Sequence, residues 1–387
     1  MGLEAIISGG GIGGLATAAA LAQRGWKVTV FESRPELRVS GSGIYLRDNG
    51  LNVLSELGAY DRVMRNPFLG RGVEQRDRLN NLVHPARLPP GRRIVAVPRA
   101  DLLAGLEQAA RDAGVKIVTG KEVVDAKANG TLVFANSDEL QADLAIGCDG
   151  IWSAVRRGIG VEQSRVRSYE GALRTIVKAT QAEMPEEVRG NFIECWNGTR
   201  RLLITPINEQ EVYLALTCRE DDKEARDVSI RPCWRESFPA WSFLLDRIND
   251  AVSWGVYTII HCKTWSAGRT CVLGDSAHAT TPNLGQGGGM AMQNGLALAA
   301  YMANVTDPRD IPEGLAEWEK AMRPTVETCQ HWASLFNEIA NVPDEYRPDI
   351  TKAFLGHPWV LSKLATGAAS VPITKTDWVP NVQGARK

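Results

Sequence analysis

Ala5-Ile6-Ile7-Ser8-Gly9-Gly10-Gly11-Ile12-Gly13-Gly14 is the stretch on which the fold of this chain turns. A short apolar run, long enough for a buried strand, meets a cluster of glycines, and an Ala- and Leu-rich stretch follows. Gly9, Gly11 and Gly14 fit the spacing G-x-G-x-x-G. The first glycine permits a tight turn, the second lets backbone approach a pyrophosphate, and the third lets a helix pack closely on a strand. The helix expected over residues 13–24 offers free N–H groups and a positive dipole end to that phosphate. A second strand, Lys27-Val28-Thr29-Val30-Phe31, ends at Glu32, where an acid suits a ribose diol. A glycine turn with no ligand would leave Glu32 unexplained, so dinucleotide binding is the expectation.

Working outward, the 387 residues are 44% apolar, enough for one large or two intimate domains. A formal net charge of −1 makes nucleic acid and an acidic membrane surface poor partners. The seven cysteines (Cys148, Cys195, Cys218, Cys233, Cys262, Cys271 and Cys329) include no C-x-x-C pair. That argues against a disulfide framework or a metal site and fits a reducing compartment. No signal-peptide pattern and no apolar run of membrane-spanning length stand out, so a cytoplasmic protein is expected.

Along the chain, the glycine-punctuated run Gly41-Ser42-Gly43-Ile44-Tyr45 reads as a ligand-approaching loop or a connector, and Asn49 as the N-cap of a helix through Leu57. Residues 71–93, with Pro85, Pro89 and Pro90, leave the first domain. Arg99, at the start of a helix reaching Ala113, is either a phosphate contact or a surface charge. Strands are expected at 115–118, 132–134 and 143–146. The last runs into Cys148-Asp149-Gly150, which places Asp149 at the carboxyl edge of the sheet as a ligand contact, a helix cap, or both. Residues 169–260 switch to short β-like runs with a hairpin link at Asn208-Glu209-Gln210, flanked by a helix over 232–248. Another buried strand ends in Gly274-Asp275, and Gly285-Gln286-Gly287-Gly288-Gly289 opens a helix, a second anion-receptive N-terminus. His278 reads as structural rather than as a base, because nothing in the sequence sets an orienting acid beside it. A long helix follows Ile311, and the tail from Val371 is expected to be partly disordered.

Three stations in this order resemble the single-component flavoprotein aromatic hydroxylases, the group of para-hydroxybenzoate and salicylate hydroxylases. They are the glycine start, Cys148-Asp149-Gly150 with Arg156, and Gly274-Asp275 with Pro282-x-x-Gly285-Gln286-Gly287. Residues 43–46, 49–51, 208–209 and 213–214, and the ending Met290-Ala291-Met292-x-Asn294, are similar to the hydroxypyridine-carboxylate oxygenases within that family. Val73 departs from a tyrosine found there.

The resemblance implies a GR2-type, Rossmann-like α/β fold with an inserted β-sheet substrate domain and a C-terminal helical segment. The FAD-binding domain would comprise residues 1–72, 98–166 and 263–330, the substrate domain 73–97 and 167–262, and the C-terminal segment 331–387. FAD would lie on Gly9, Gly11, Ile12, Gly13 and Gly14, with Glu32 and Ser33 at the adenosine ribose. Arg38 and Arg99 would reach the phosphate and ribityl region, Asp149 the pyrophosphate and nicotinamide side, and Gly274 and Asp275 a ribityl hydroxyl. Pro282 would cover the flavin where oxygen reacts, and Gly287, Gly288 and Gly289 would face its pyrimidine edge. NADH or NADPH would visit transiently, and a flavin C4a-hydroperoxide would hydroxylate an aromatic or N-heteroaromatic acid, such as a hydroxypyridine carboxylate, with ring opening as an extension. No acid–base residue is required. Arg201 would pair with the substrate carboxylate and Tyr213 with its ring, while Tyr45, Arg174 and Tyr257 are further substrate candidates. For each tyrosine, half-buried sheet packing is the competing reading; for Arg201 it is an exposed turn charge. A monomer or homodimer working on a small molecule and O2 is implied. An oxidase or reductase of the same fold, or a flavin-binding sensor, is the alternative; a halogenase is excluded by the lack of its Trp-x-Trp-x-Ile-Pro stretch.

Overall fold

The structure, a computed structural model, describes residues 2–37, 42–86, 88–226, 230–249 and 252–380. Strand Glu4–Ser8 lies inside a six-stranded sheet ordered Ser266–Ala267, Thr270–Val272, Leu144–Gly147, Glu4–Ser8, Lys27–Phe31, Lys116–Val118. Every pairing is parallel except that of the Ser266–Ala267 edge. Parallel strands are covered on both faces, which is why Ala-Ile-Ile and Leu-Ala-Ile stand out as unbroken apolar runs. Helices Ile12–Ala22 and Gly287–Met302 pack against each other over this sheet. A Cβ at Gly295 would stand 2.1 Å from Thr17 Oγ1, so the close approach of the two helices depends on that glycine.

The second layer is a seven-stranded sheet ordered Gly255–Cys262, Glu162–Lys178, Glu211–Arg219, Arg200–Pro206, Phe192–Asn197, Val73–Asp77, Leu82–His84. It is antiparallel apart from the Phe192–Asn197/Val73–Asp77 pair. Successive side chains alternate faces. Leu173, Leu214, Leu216, Leu202, Ile204 and Ile193 point to one side and form a core with Trp234, Phe238 and Trp241. The other side carries the polar residues described below and faces the first sheet across a cleft. A junction core of Phe68, Ile94, Phe192, Ile207 and Tyr213 closes one end of the cleft.

Several sequence expectations need correction. The first helix begins at Ile12 and ends at Ala22. Asn49 is not an N-cap: it lies within helix Asp48–Glu56, fully buried, with Nδ2 donating to Gln286 Oε1 and Gln293 Oε1 at 3.2 Å each. Residues 232–248 are broken into helix Ile230–Ser237, a 3-10 turn Pro239–Trp241 and a short helix Ser242–Leu245, because Pro239 cannot continue the helix before it. The expected boundary after residue 97 cuts strand Ile94–Pro98, which pairs with both Gly43–Arg47 and Phe68–Gly70. The boundary after residue 330 cuts helix Ile311–Glu338. Residues 371–380 are pinned to the body: Arg24 Nη2 donates to the Thr374 carbonyl at 2.8 Å, and Trp378 packs on Tyr301.

Candidate active site

The glycine turn owes its shape to backbone crowding. A Cβ at Gly14 would stand 2.0 Å from the Gly9 carbonyl oxygen, and one at Gly9, where φ is +103°, 2.3 Å from the Cys148 carbonyl oxygen. Gly14 therefore sets helix-to-strand spacing and Gly9 sets turn geometry. Gly11 is different: a Cβ there meets nothing within 4 Å, because the position opens on the cleft. Gly13 packs on Leu273 and Ala291, and Ile12 on the core, while both touch the cleft wall. At the end of its strand, Glu32 accepts from the Gly10 N–H (2.9 Å), the Arg34 N–H (3.1 Å) and Ser33 Oγ (3.2 Å). These three bonds fix the carboxylate at the cleft edge, and Ser33 is an exposed wall residue beside it. Arg38 lies outside the described residues.

Strand Leu144–Gly147 delivers Asp149, and strand Thr270–Val272 delivers Gly274 and Asp275, to the same edge. Asp149 Oδ2 accepts from the N–H groups of Ala154 (2.8 Å) and Val155 (3.2 Å), and Oδ1 accepts from Ser276 Oγ at 3.0 Å. Oδ2 thus caps the helix that follows and Oδ1 latches the two strand ends together, so the capping reading holds and Asp149 lies in the cleft wall. Arg156, fully buried, donates to Glu162, Ser276 O and Ile151 O and closes the same latch. Asp275 is open to the cleft yet deep in the fold, so desolvation raises its pKa, a shift opposed by the charge of Arg99. The Arg99 side chain lies on the cleft wall too, and its backbone N–H ties the helix start to Ser42 O at 2.9 Å. His278 Nε2 accepts from the Gly274 N–H at 3.1 Å and lies 2.9 Å from Asn294 Nδ2. Burial holds its pKa down at about 4, so it is a neutral acceptor that braces the Gly274 turn.

Pro282 opens a single 3-10 turn ended by Gly285 in the left-handed region, at φ +60°. Gly287, Gly288 and Gly289 form the first turn of the helix that follows, so their N–H groups lack helical acceptors. Gly287 opens on the cleft, and Gly288 adjoins Ile44 at its wall. Gly289 does not belong to the wall: a Cβ there would meet the Asn49 amide at 3.2 Å, so its smallness serves the packing against helix Asp48–Glu56.

Across the cleft stands the polar face of the seven-stranded sheet. Register places Arg174, Ala215, Leu203, Glu194 and Gln75 in one row, each directly opposite the next. The adjacent row carries Ala172, Thr217, Arg201 and Trp196. Arg201 is buried but not free for a ligand carboxylate. Its Nη1 donates to Glu194 Oε1 at 3.3 Å, its Nη2 to Asn283 Oδ1 at 2.8 Å, and its guanidinium lies 5.1 Å from the Trp196 ring centroid. Asn283 is itself held by Asn337 Oδ1 at 2.7 Å, so the long helix braces this corner. The sequence expectation set Arg201 against a substrate carboxylate; in the structure its charge is paired with Glu194. Arg174 is open to the cleft, 5.4 Å from the Tyr257 ring centroid, with no ion pair among the described residues. Tyr213 is nearly buried, and desolvation pushes its pKa up to about 12, so it stays a neutral phenol. Tyr257 OH is 3.0 Å from Thr217 Oγ1, and Tyr45 OH hydrogen-bonds Thr205 Oγ1. The three tyrosines are both packed and cleft-facing.

One continuous cleft of about 2170 Å³ joins the glycine turn, the Asp149 and Asp275 edge, the Pro282 turn and the sheet face. Leu361, Leu364, Ala365 and Ala368 of the C-terminal helices complete an apolar wall. Glu194, Gln75, Thr217 and Asn283 are among the polar cleft residues that sequence reasoning missed. A signal existed for Glu194: a lone acid inside Phe192-Ile-Glu-Cys-Trp, on a strand whose other residues up to Trp196 are apolar.

Parallel sheet, glycine cradle and the cleft between two sheets define a flavoprotein monooxygenase. Residues 3–333 match the family model described as "FAD binding domain", and the chain belongs to the class A FAD-dependent monooxygenase family. A "Probable 2-heptyl-3-hydroxy-4(1H)-quinolone synthase" of Rhodococcus erythropolis is 36% identical over 354 residues, covering 90% of this chain and 91% of that one. A 2-heptyl-3-hydroxy-4(1H)-quinolone synthase of Mycobacteroides abscessus is 35% identical, with 89% and 92% coverage. The tetrameric form of 2-methyl-3-hydroxypyridine-5-carboxylic acid oxygenase superposes with a TM-score of 0.85 at 31% identity, covering 97% of this chain and 98% of that one. The protein is a flavin-dependent monooxygenase that binds FAD and acts on small aromatic or heteroaromatic compounds. The residues fit that cofactor: Gly11 and Gly287 leave open backbone where a side chain would intrude, and Asp275 offers an open acceptor. Among the described residues, no helix is long and apolar enough to cross a membrane.

Proposed function

We propose that this enzyme consumes NADH or NADPH and places one hydroxyl on an N-heteroaromatic ring lodged between the Pro282 turn and the polar face of the seven-stranded sheet. The observation that carries the reading is the single cleft that unites the glycine cradle with that face. Gly9, Gly11–Gly13, Glu32, Ser33, Arg99, Asp275 and the Gly287–Gly288 N–H groups would hold FAD, which would supply reductive activation of O2. The first-turn N–H groups of helix Gly287–Met302 favour negative charge beside them. The sheet orients the ring through Tyr213, Tyr257 and the Glu194–Arg201 pair, and Val73, Leu203 and Ala215 keep water from the reacting carbon. Asp149 supports the fold beneath the nicotinamide side.

A second reading, a ring acid such as a hydroxypyridine carboxylate, is favoured by Arg174, whose guanidinium has no carboxylate partner among the described residues. Ring opening after hydroxylation belongs to that reading. The test is reductant consumption by the purified yellow holoenzyme with 2-heptyl-4(1H)-quinolone and with 2-methyl-3-hydroxypyridine-5-carboxylate. Product mass separates hydroxylation from ring opening. Colourless protein that takes up no FAD, or reductant consumption stimulated by neither compound, would overturn the proposal.

A further inference from the structure

The cleft floor has two poles. Arg174 and Glu194 share one cross-strand row, with Ala215 and Leu203 between them and Gln75 beyond Glu194. Three strand spacings separate their backbones, about 14 Å. The Arg174 guanidinium lies 5.4 Å from the Tyr257 ring centroid, so a donor stands toward one end of this row and an acceptor toward the other. Between the poles the floor is small and apolar, as a ring face requires.

The Glu194 pole is built to accept. Gln75 Nε2 donates to its Oε2 at 3.1 Å and Arg201 Nη1 to its Oε1 at 3.3 Å. Both bonds hold the carboxylate in place, and each oxygen retains a second acceptor position. Glu194, Gln75 and Arg201 all line the cleft and are each at least nine-tenths buried, at 8%, 5% and 5% exposure. A ligand carboxylate brought to this end would face Glu194 and meet an arginine whose charge is already balanced, and two carboxylates at one site repel. The Arg174 pole donates, with the neutral Tyr213 phenol beside it.

Resting on the hydroxylase reading above, we propose that Glu194 accepts a ring N–H and Arg174 donates to a ring oxygen at the opposite end, so that the site selects an uncharged N–H heteroaromatic ketone of the 4-pyridone or 4-quinolone type over a ring carboxylate. Gln75 and Arg201 are then positioning residues for Glu194. A charge-assisted bond from the ring N–H also raises electron density at the carbon beside the ring ketone, the carbon an electrophilic oxygen attacks.

The test is calorimetric titration of the FAD-loaded enzyme with 2-heptyl-4(1H)-quinolone, its N-methyl analogue and 2-methyl-3-hydroxypyridine-5-carboxylate. Wild-type enzyme is expected to bind the N–H quinolone at least tenfold more tightly than either other compound. Glu194→Gln should weaken the N–H quinolone about tenfold and leave the N-methyl analogue unchanged. The wild-type comparison does not depend on whether the variant folds. Equal wild-type affinity for the N–H and N-methyl compounds, or tighter binding of the carboxylate, overturns the proposal. If the quinolone is hydroxylated but neither N-methylation nor Glu194→Gln matters, this proposal falls and the hydroxylase reading stands. If no ring compound binds or stimulates reductant consumption, the hydroxylase reading falls with it.

Discussion

Around Gly9–Gly14 the groups that meet the cleft are backbone N–H and bare Cα positions; on the seven-stranded sheet they are side chains drawn from strands more than a hundred residues apart. The first kind of site is written in consecutive letters, because a turn needs glycine where a Cβ would collide. The second is written in register. Glu194 meets Arg201 only because strands Phe192–Asn197 and Arg200–Pro206 pair as they do, and Gln75 joins them from a parallel neighbour. A backbone site tolerates little change of residue but binds much the same cofactor throughout a family. A side-chain site keeps its sheet while its chemistry is rewritten one residue at a time.

Four substitutions or conditions break or sharpen that contrast. The largest effect is expected at Gly14→Ala. The new Cβ collides with the Gly9 carbonyl at 2.0 Å, and neither partner is a flexible side chain. Loss of bound flavin and of cooperative unfolding should follow together; a yellow, cooperatively folded variant would show that the cradle can shift. Next comes Arg201→Met, which leaves Glu194 buried without its counter-charge and should cost roughly 3–5 kcal/mol of stability, read from denaturant midpoints. FAD affinity should stay near wild type, since the loss falls on the sheet half; a stability change below about 1 kcal/mol would show that water within the cleft already screens the pair.

Acid should weaken the nucleotide half in its own way. Folded His278 has a pKa of about 4 against an ordinary 6.5. Its contribution is complete above pH 6.5 and is lost as pH falls toward 4, on the order of 3 kcal/mol in all. Thermal melts over that range should show a shallower slope for His278→Gln; an identical slope would place the loss on carboxylates instead. The smallest effect is expected at Glu32→Ala, where loss of a ribose acceptor and of the Gly10 N–H anchor should weaken FAD about tenfold. Unchanged affinity by flavin fluorescence would leave Glu32 as a turn brace.

The strands of the nucleotide sheet were legible because burial on both faces leaves continuous apolar runs, and the cradle because its glycines are sterically obligatory. Glu32 was singled out by its place at a strand end, whereas the roles expected of Asp275 and Pro282 came from the family resemblance. The role of Asp149 was half legible: capping is local, whereas its bond to Ser276 joins residues 127 positions apart. Arg201 was found as a residue but not as a pair, since the neighbour that settles its charge sits seven residues back across a hairpin. Asn49 shows the same limit in reverse: a polar residue near a helix start looks like a cap until the amides of Gln286 and Gln293 arrive from another helix.

The C-terminal helices Pro358–Leu364 and Thr366–Ala369 furnish part of the apolar cleft wall. The polar sheet face of the cleft and this part of its apolar wall therefore come from separate stretches of the chain. Grafting residues 355–370 from a homologue would reshape that apolar wall while leaving the face of the seven-stranded sheet as it is.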